Sequence, residues 1–79
     1  MWHVYALQSL KNNHLYIGIS KDPDNRLRQH NAGMTKSTKI FRPYIKIYQE
    51  QCLSRIDARK RELFLKSGCG REFLKKFKK

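Results

Sequence analysis

Two runs near the start of the chain alternate apolar and polar positions as β-strands do. The runs cover residues 2–8 and 14–20, and both are rich in aromatic and β-branched side chains. The polar segment between them contains Asn12 and Asn13, and asparagine is typical of tight turns. The pattern therefore predicts a β-hairpin closed by a four-residue loop.

The apolar positions also predict how the two strands pair, because a slip of one residue turns every side chain to the other face. Placing Tyr5 opposite Tyr16 sets Val4 opposite Ile17 and gives one continuous apolar face. The other face then carries both tyrosines side by side, with Gly18 leaving the backbone open beside them.

A helix start follows the hairpin directly. Asp22 is a good N-cap, and Pro23 suits the first helical position, where its missing N–H costs nothing. Gly33 is the predicted stop. Arg26 and His30 are four residues apart and share one face of this helix. Since the helix has few apolar residues, we expect that face to meet a ligand rather than a core.

The second half of the chain predicts a strand over 44–50, a helix over 53–67 with Ser54 as its N-cap, and a last basic helix over 71–77. Gly68 is predicted to stop the middle helix. The predicted core stripe of that helix consists of Leu53, Ile56, Leu63 and Phe64. The order β-β-α-β-α with a C-terminal helix predicts an α+β fold, a small sheet covered by helices.

The charge balance points to a polyanionic partner. The 79 residues include 18 Lys and Arg against six Asp and Glu, a formal net charge of +12. A merely basic surface is the alternative. The basic loop over 34–42 carries Lys36, Lys39 and Arg42, which we expect to touch phosphates unless the loop is simply solvated.

The sequence also indicates where in the cell the protein is expected. No run approaches the ~20 apolar residues of a membrane span, and the N-terminus lacks the pattern of a signal peptide. Cys52 and Cys69 are too far apart in sequence to suggest a zinc site, so free thiols are expected. We therefore expect a cytoplasmic protein that does not bind membranes.

The few carboxylates restrict the chemistry available for phosphodiester cleavage, which needs activated water, a cation on the phosphate and usually a divalent metal. Asp22 and Asp24 are explained by the helix start, so a two-metal carboxylate cluster is hard to build. A one-metal site on a single glutamate, with Glu62 favoured, remains feasible. Tyrosines could orient or deprotonate water, although a pKa near ~10 requires help from a metal or an arginine.

These residues, in this order, resemble the GIY-YIG endonuclease superfamily, and most closely its small standalone bacterial proteins. The resemblance is carried by Tyr5 in HVY, Tyr16-Ile17-Gly18, Arg26 with His30-Asn31, and Glu62 in DARKREL. The segments TKSTKIFRP, KIYQE and FLKSGCGREFLKK are also similar to that group. The resemblance covers nearly the whole chain and implies a single nuclease-like domain over residues 1–79.

The resemblance implies a three-stranded antiparallel sheet flanked by helices, and hydrolysis of DNA or RNA with Mg²⁺ or Mn²⁺. Tyr5 and Tyr16 would position or deprotonate the attacking water. Arg26 would contact the scissile phosphate, His30 would support the site, and Glu62 would hold the ion.

The sequence departs from the family motif at several positions. His3 and Val4 stand where the motif name has Gly and Ile, and a single Arg26 occupies a place often filled by two arginines. The second departure weakens the expected hold on phosphate. Gly18 is retained, and the resemblance implies that it lets backbone or substrate come close.

Two functions from different classes remain open. The first is a metal-dependent nuclease, with DNA favoured over RNA and with a protein partner as one source of specificity. The second is a non-catalytic nucleic-acid-binding module. In that case Tyr5 and Tyr16 are a cross-strand aromatic pair, and Glu62 is only a helical partner of Lys66.

Overall fold

The computed structural model describes Met1–Lys79 and confirms the α+β class, with a three-stranded antiparallel sheet flanked by helices. None of its helices combines the length and the apolar character needed to cross a membrane. The elements in chain order are β1 (Trp2–Ser9), β2 (Leu15–Ser20), α1 (Pro23–Asn31), a 3₁₀ turn (Lys39–Phe41), β3 (Tyr44–Cys52), α2 (Arg55–Lys66) and α3 (Gly68–Lys75).

The sheet lies between helices on both faces, and β1 is its central strand in the order β2-β1-β3. One face of β1 packs under α2 and α3, in a core of Val4, Ala6, Ile17, Cys52, Ala58, Leu65 and Leu74. The other face packs under α1, in a smaller cluster of Tyr5, Leu7 and Tyr44 bordered by Tyr16 and Leu27. The odd-numbered residues of β1 therefore face α1, and this face holds both hairpin tyrosines.

The predicted hairpin pairing is wrong by two residues. Tyr5 stands opposite Gly18, and Tyr16 stands opposite Leu7. Because side chains alternate with a period of two, this shift keeps every side chain on its predicted face. The two tyrosines share one face, as expected, but they stand diagonally rather than side by side.

The turn explains the shift. The backbone N–H of Ser9 donates to the His14 carbonyl at 2.9 Å, and that of Asn13 donates to the Ser9 carbonyl at 2.9 Å. Asn13 has a φ of 64°, a left-handed conformation that asparagine tolerates better than most residues. The loop has four residues as predicted, but they are 10–13, one position later than the predicted pairing requires.

Both predicted helix caps are confirmed. The Asp22 carboxylate accepts from the Asn25 N–H at 3.1 Å, and Pro23 is the first helical residue. The Ser54 hydroxyl accepts from the Asp57 N–H at 3.1 Å. These contacts satisfy backbone donors that the first helical turn otherwise leaves unpaired.

The predicted core stripe of α2 is wrong, because its members face solvent. Leu53 is 83% exposed, Ile56 69%, Leu63 54% and Phe64 40%. The buried face of α2 consists instead of Ala58, Glu62 and Leu65. Ile56 and Ala58 point in nearly opposite directions, because residues two positions apart in a helix are rotated by about 200° around its axis. A glutamate in the middle of the buried face hides the true pattern from a reading that counts charged residues as exposed.

Gly68 is not a simple stop, and α3 begins three residues earlier than predicted. Ser67 ends α2 and also caps α3, with its hydroxyl accepting from the Gly70 N–H at 3.3 Å. The chain turns so tightly here that a Cβ at Gly70 would lie 2.2 Å from the Phe64 carbonyl oxygen. The last helix docks on the sheet through Leu74, which is buried in the larger core.

Candidate active site

The two hairpin tyrosines meet over a glycine at the edge of the sheet. Tyr5 comes from the central strand and Tyr16 from the edge strand, and their ring centroids are 6.4 Å apart. A Cβ at Gly18 would lie 2.8 Å from the Tyr5 hydroxyl oxygen and 3.2 Å from Cε1 of Tyr16. Gly18 therefore makes room for both rings, and the close approach at this position is made by the tyrosines.

Arg26 lies beside the Tyr5 hydroxyl, where α1 crosses the tyrosine face. Burial raises the pKa of Tyr5, the adjacent Arg26 guanidinium opposes this rise, and the charges of Tyr16 and Glu62 add to it. Because the net pKa is above the usual value, Tyr5 keeps its proton at neutral pH and acts as a hydrogen-bond donor. Arg26 is held by Gln29, whose side-chain oxygen accepts from Nη1 at 2.6 Å.

His30 is fully buried against the tyrosines rather than exposed on the helix. Its ring centroid is 4.7 Å from that of Tyr16 and 6.1 Å from that of Tyr44. Nδ1 lies 2.7 Å from the Thr38 hydroxyl, which itself donates to the Thr35 carbonyl at 3.3 Å. Since the hydroxyl has one proton, Nδ1 carries the imidazole hydrogen. Nε2 is then a buried lone pair without a partner.

The burial of His30 predicts a pH-dependent stability. Burial lowers the pKa of His30, and the Arg26 charge lowers it further, so the folded protein holds a neutral ring. The unfolded chain takes up a proton below about pH 6.5. We therefore expect the free energy of unfolding to fall as the pH drops below about 6.5, by at most about 1.4 kcal/mol per pH unit from this group. Urea denaturation between about pH 8 and about pH 5 measures it.

Two histidine substitutions test the source of this dependence. His30→Gln should flatten the profile in that range, whereas His14→Gln, at an exposed position in the hairpin turn, should leave it unchanged. An unchanged slope in His30→Gln would contradict a buried neutral His30.

Two further residues, to which the sequence assigned no role, fix this part of the site. The Asn31 side chain brackets the backbone of Tyr44, accepting from its N–H at 2.6 Å and donating to its carbonyl at 3.0 Å. This pair ties the end of α1 to the start of β3. Thr38 is the buried partner of His30. The sequence signals for these contacts were the His30-Asn31 pair and the segment TKSTKIFRP, which contains Thr38.

Glu62 is buried on α2 and ionised. Its side chain is only 8% exposed, and it accepts from Arg59 Nη1 at 2.6 Å and from Lys66 Nζ at 3.0 Å. Burial raises the pKa of Glu62, but the hydrogen bonds from Lys66 and Arg59 outweigh it and hold the pKa below its usual value. Glu62 therefore pairs with Lys66 along the helix, and it is also close enough to Tyr5 for its charge to raise the pKa of Tyr5.

Glu62 fits a divalent ion only in partnership with a substrate. No group of three or more His, Cys, Asp or Glu side chains is placed to hold a metal, so the protein alone offers no cage. A carboxylate has about four lone-pair positions, and two of these are used by Arg59 and Lys66. Mg²⁺ is commonly bound by one or two carboxylates, with water and phosphate completing the shell. Glu62 meets that requirement if phosphate and water supply the rest.

A basic cleft that the sequence pattern did not predict borders this site. The cleft has a volume of about 620 Å³ and runs along β2 beside the C-terminal part of the chain. Its lining consists of Asn13, His14, Leu15, Tyr16, Ile17, Lys66, Arg71, Lys75 and Lys78. It reaches the site at two residues, Tyr16 and Lys66, and the ammonium group of Lys66 pairs with Glu62. The repeated cations after residue 65 were the available signal.

The predicted loop cations lie elsewhere. Lys36, Lys39 and Arg42 are exposed on the segment that follows α1, and none of them lines the cleft. Arg42 lies against Gly33, where a Cβ would come within 2.0 Å of its Nη1. The structure thus brings together the tyrosines, Arg26, His30, Gly18 and Glu62, but not these three.

Comparison with known proteins identifies the family. Residues 1–76 match the GIY-YIG catalytic domain. A UPF0213 protein of Staphylococcus haemolyticus is 35% identical over 74 residues, which cover 92% of this chain and 90% of the relative. One from Staphylococcus saprophyticus is 38% identical over 66 residues, covering 82% and 80%. No solved structure matches. Because the match spans nearly the whole chain and every described element, this protein belongs to the GIY-YIG catalytic domain family.

Proposed function

We propose that this protein is a divalent-metal-dependent nuclease that hydrolyses phosphodiester bonds of DNA or RNA, with DNA the favoured substrate and the cytoplasm the favoured compartment. One observation carries the proposal. Tyr5, Tyr16 and Arg26 meet at the edge of β2, close enough to Glu62 for its charge to affect Tyr5, in a chain of the GIY-YIG catalytic domain family. The net charge of +12 suits a polyanionic substrate.

The two tyrosines have different environments and therefore different roles. Tyr5 is enclosed and keeps its proton, so it orients a substrate or water oxygen by donating a hydrogen bond. Tyr16 is only partly buried and lines the basic cleft, so its hydroxyl is the one that faces the attacking water and orients it by accepting a hydrogen bond from it. His30 packs on the Tyr16 ring and holds it, and its unpartnered Nε2 is a proton acceptor in the same wall.

Arg26 and Glu62 act on the negative charge of the reacting phosphate, Arg26 directly and Glu62 through a divalent ion. The Arg26 guanidinium neutralises negative charge that develops on the phosphate oxygens. Glu62 would hold a divalent ion, which when bound adds further neutralisation and favours ionised water. Arg59 and Lys66 already pair with Glu62 and repel a free cation. We therefore expect this carboxylate to take up the ion together with the nucleic acid, whose phosphates offset those charges.

A second function is favoured by a separate observation. The basic cleft offers four cations to a phosphate backbone, and Glu62 already accepts hydrogen bonds from two cations. A protein that only binds nucleic acid would need nothing more. Both functions predict salt-sensitive binding, because phosphate contacts release counterions. Cleavage alone separates them.

The test is incubation with labelled single-stranded, duplex and branched DNA and with RNA, each in Mg²⁺, Mn²⁺ or EDTA. We expect cutting only with a divalent ion, and a rate about 100-fold lower in Tyr16→Phe, which loses the hydroxyl but keeps the ring. Tyr48→Phe is the matched control, because Tyr48 lies on the opposite sheet face, against α3. Salt-sensitive binding with no cutting under any metal would establish the binding module instead.

A further inference from the structure

The outer face of α2 is an apolar surface without a partner. Ile56, Leu63 and Phe64 all face solvent on the side opposite the buried residues of this helix, and Leu53 stands exposed just before its start. Leu63 and Phe64 are neighbours, whereas Ile56 lies two helical turns away with Lys60 between it and Leu63. Single exposed apolar side chains are ordinary on proteins, but several on one side of a helix form a surface that a partner can cover. We call these four residues the α2 patch.

A cationic pocket adjoins the α2 patch. It has a volume of about 320 Å³ and shares Ile56 with the patch. Its lining consists of Ile19, Arg55, Ile56, Arg59 and Lys60. No carboxylate lines it, and neither Arg55 nor Lys60 forms an ion pair within the chain. The concave part of this surface therefore combines two isoleucines with three cations.

We propose that the α2 patch and its pocket bind an acidic amphipathic segment of another protein. The apolar side chains of such a segment would cover Ile56, Leu63 and Phe64. Its carboxylates would enter the pocket and pair with Arg55 and Lys60. Carboxylates beside aliphatic groups complement both halves of this surface, and charge complementarity of this kind selects partners.

Other occupants fit less well. A second copy of this chain would bring the same cations against Arg55 and Lys60. A nucleic acid would pair with the cations but would leave the four apolar side chains exposed, and the larger basic cleft lies elsewhere. A lipid surface would cover the patch but could not fill a concave pocket. A protein segment meets the apolar and the charged requirement together.

The test uses a synthetic helical peptide with leucines on one face and glutamates on its flanks, and a matched peptide with lysines in place of the glutamates. Backbone amide resonances of the full chain are followed by NMR during titration. We expect the acidic peptide to shift amides in residues 53–64 and the lysine peptide to shift none. The double variant Ile56→Ser with Leu63→Ser should weaken binding at least about tenfold, since interface energy concentrates in a few apolar contacts. These positions are exposed, so the fold is not at risk.

The control is Ile40→Ser, which removes an isoleucine that is 65% exposed outside α2 and should leave peptide affinity unchanged. The proposal is overturned if the double variant binds the acidic peptide as wild type does, or if the shifts fall in the basic cleft. It is also overturned if the double variant instead loses binding to a single-stranded oligonucleotide or to phosphatidylglycerol vesicles, or loses a self-association that sedimentation detects in wild type.

Discussion

Glu62→Gln is expected to lower the cleavage rate by about 1000-fold while nucleic-acid affinity in EDTA stays within about twofold. Glutamine keeps the shape of the side chain and one acceptor oxygen, but it loses the charge on which a divalent ion depends. Stability should change little, because Arg59 and Lys66 are both about half exposed and water replaces the lost contacts. Single-turnover cleavage and fluorescence anisotropy measure the two quantities separately.

The matched control is Glu50→Gln. Glu50 also accepts two hydrogen bonds, from Arg61 at 3.0 Å and from the Tyr48 hydroxyl, but it lies on β3, away from the tyrosine face. We expect this variant to cut at the wild-type rate. Equal losses in Glu62→Gln and Glu50→Gln would show that only net charge matters. Wild-type cutting by Glu62→Gln would remove Glu62 from the site.

The sequence predicts those parts of the site that depend on residues close together in the chain, such as helix caps and the alternation of strand side chains. The Asp22-Pro23 pair sets the start of α1, and this start places Arg26 and His30 on one helical face. Strand alternation puts Tyr5 and Tyr16 on one sheet face. The pairing register was wrong because a shift of two residues leaves the apolar pattern unchanged. The two registers differ in the conformation of the hairpin turn, and the hydrophobic pattern does not predict that conformation.

The remaining features depend on contacts between distant parts of the chain. His30 is buried because Thr38 and Tyr44 close over it. Glu62 takes a buried position because two cations of its own helix satisfy it, and this moves the apolar side chains of α2 to the surface. A hydrophobic pattern alone assigns the opposite face to the core. The basic cleft likewise forms only when the C-terminal helix folds back beside β2.

Gly18→Ala is expected to lower both the stability of the protein and its cleavage rate. The new Cβ would lie 2.8 Å from the Tyr5 hydroxyl oxygen and 3.2 Å from Cε1 of Tyr16, so both rings must move. Overpacking of this kind costs about 1–3 kcal/mol of unfolding free energy. A displacement of about 1 Å in a catalytic group costs about 100-fold in rate. We therefore expect both losses, measured by urea denaturation and by single-turnover cleavage.

Gly68→Ala provides the comparison, because a Cβ there meets no atom within 4 Å and the position is the first residue of α3. Its rate should equal that of wild type, and its unfolding free energy should change by less than about 1 kcal/mol, in the stabilising direction, since alanine favours helix over glycine. A Gly18→Ala variant with wild-type stability but a reduced cleavage rate would mean that the added methyl group displaces only the tyrosine hydroxyls and does not disturb the packing around them. One that keeps both would mean that Tyr5 and Tyr16 do not need the positions in which Gly18 holds them.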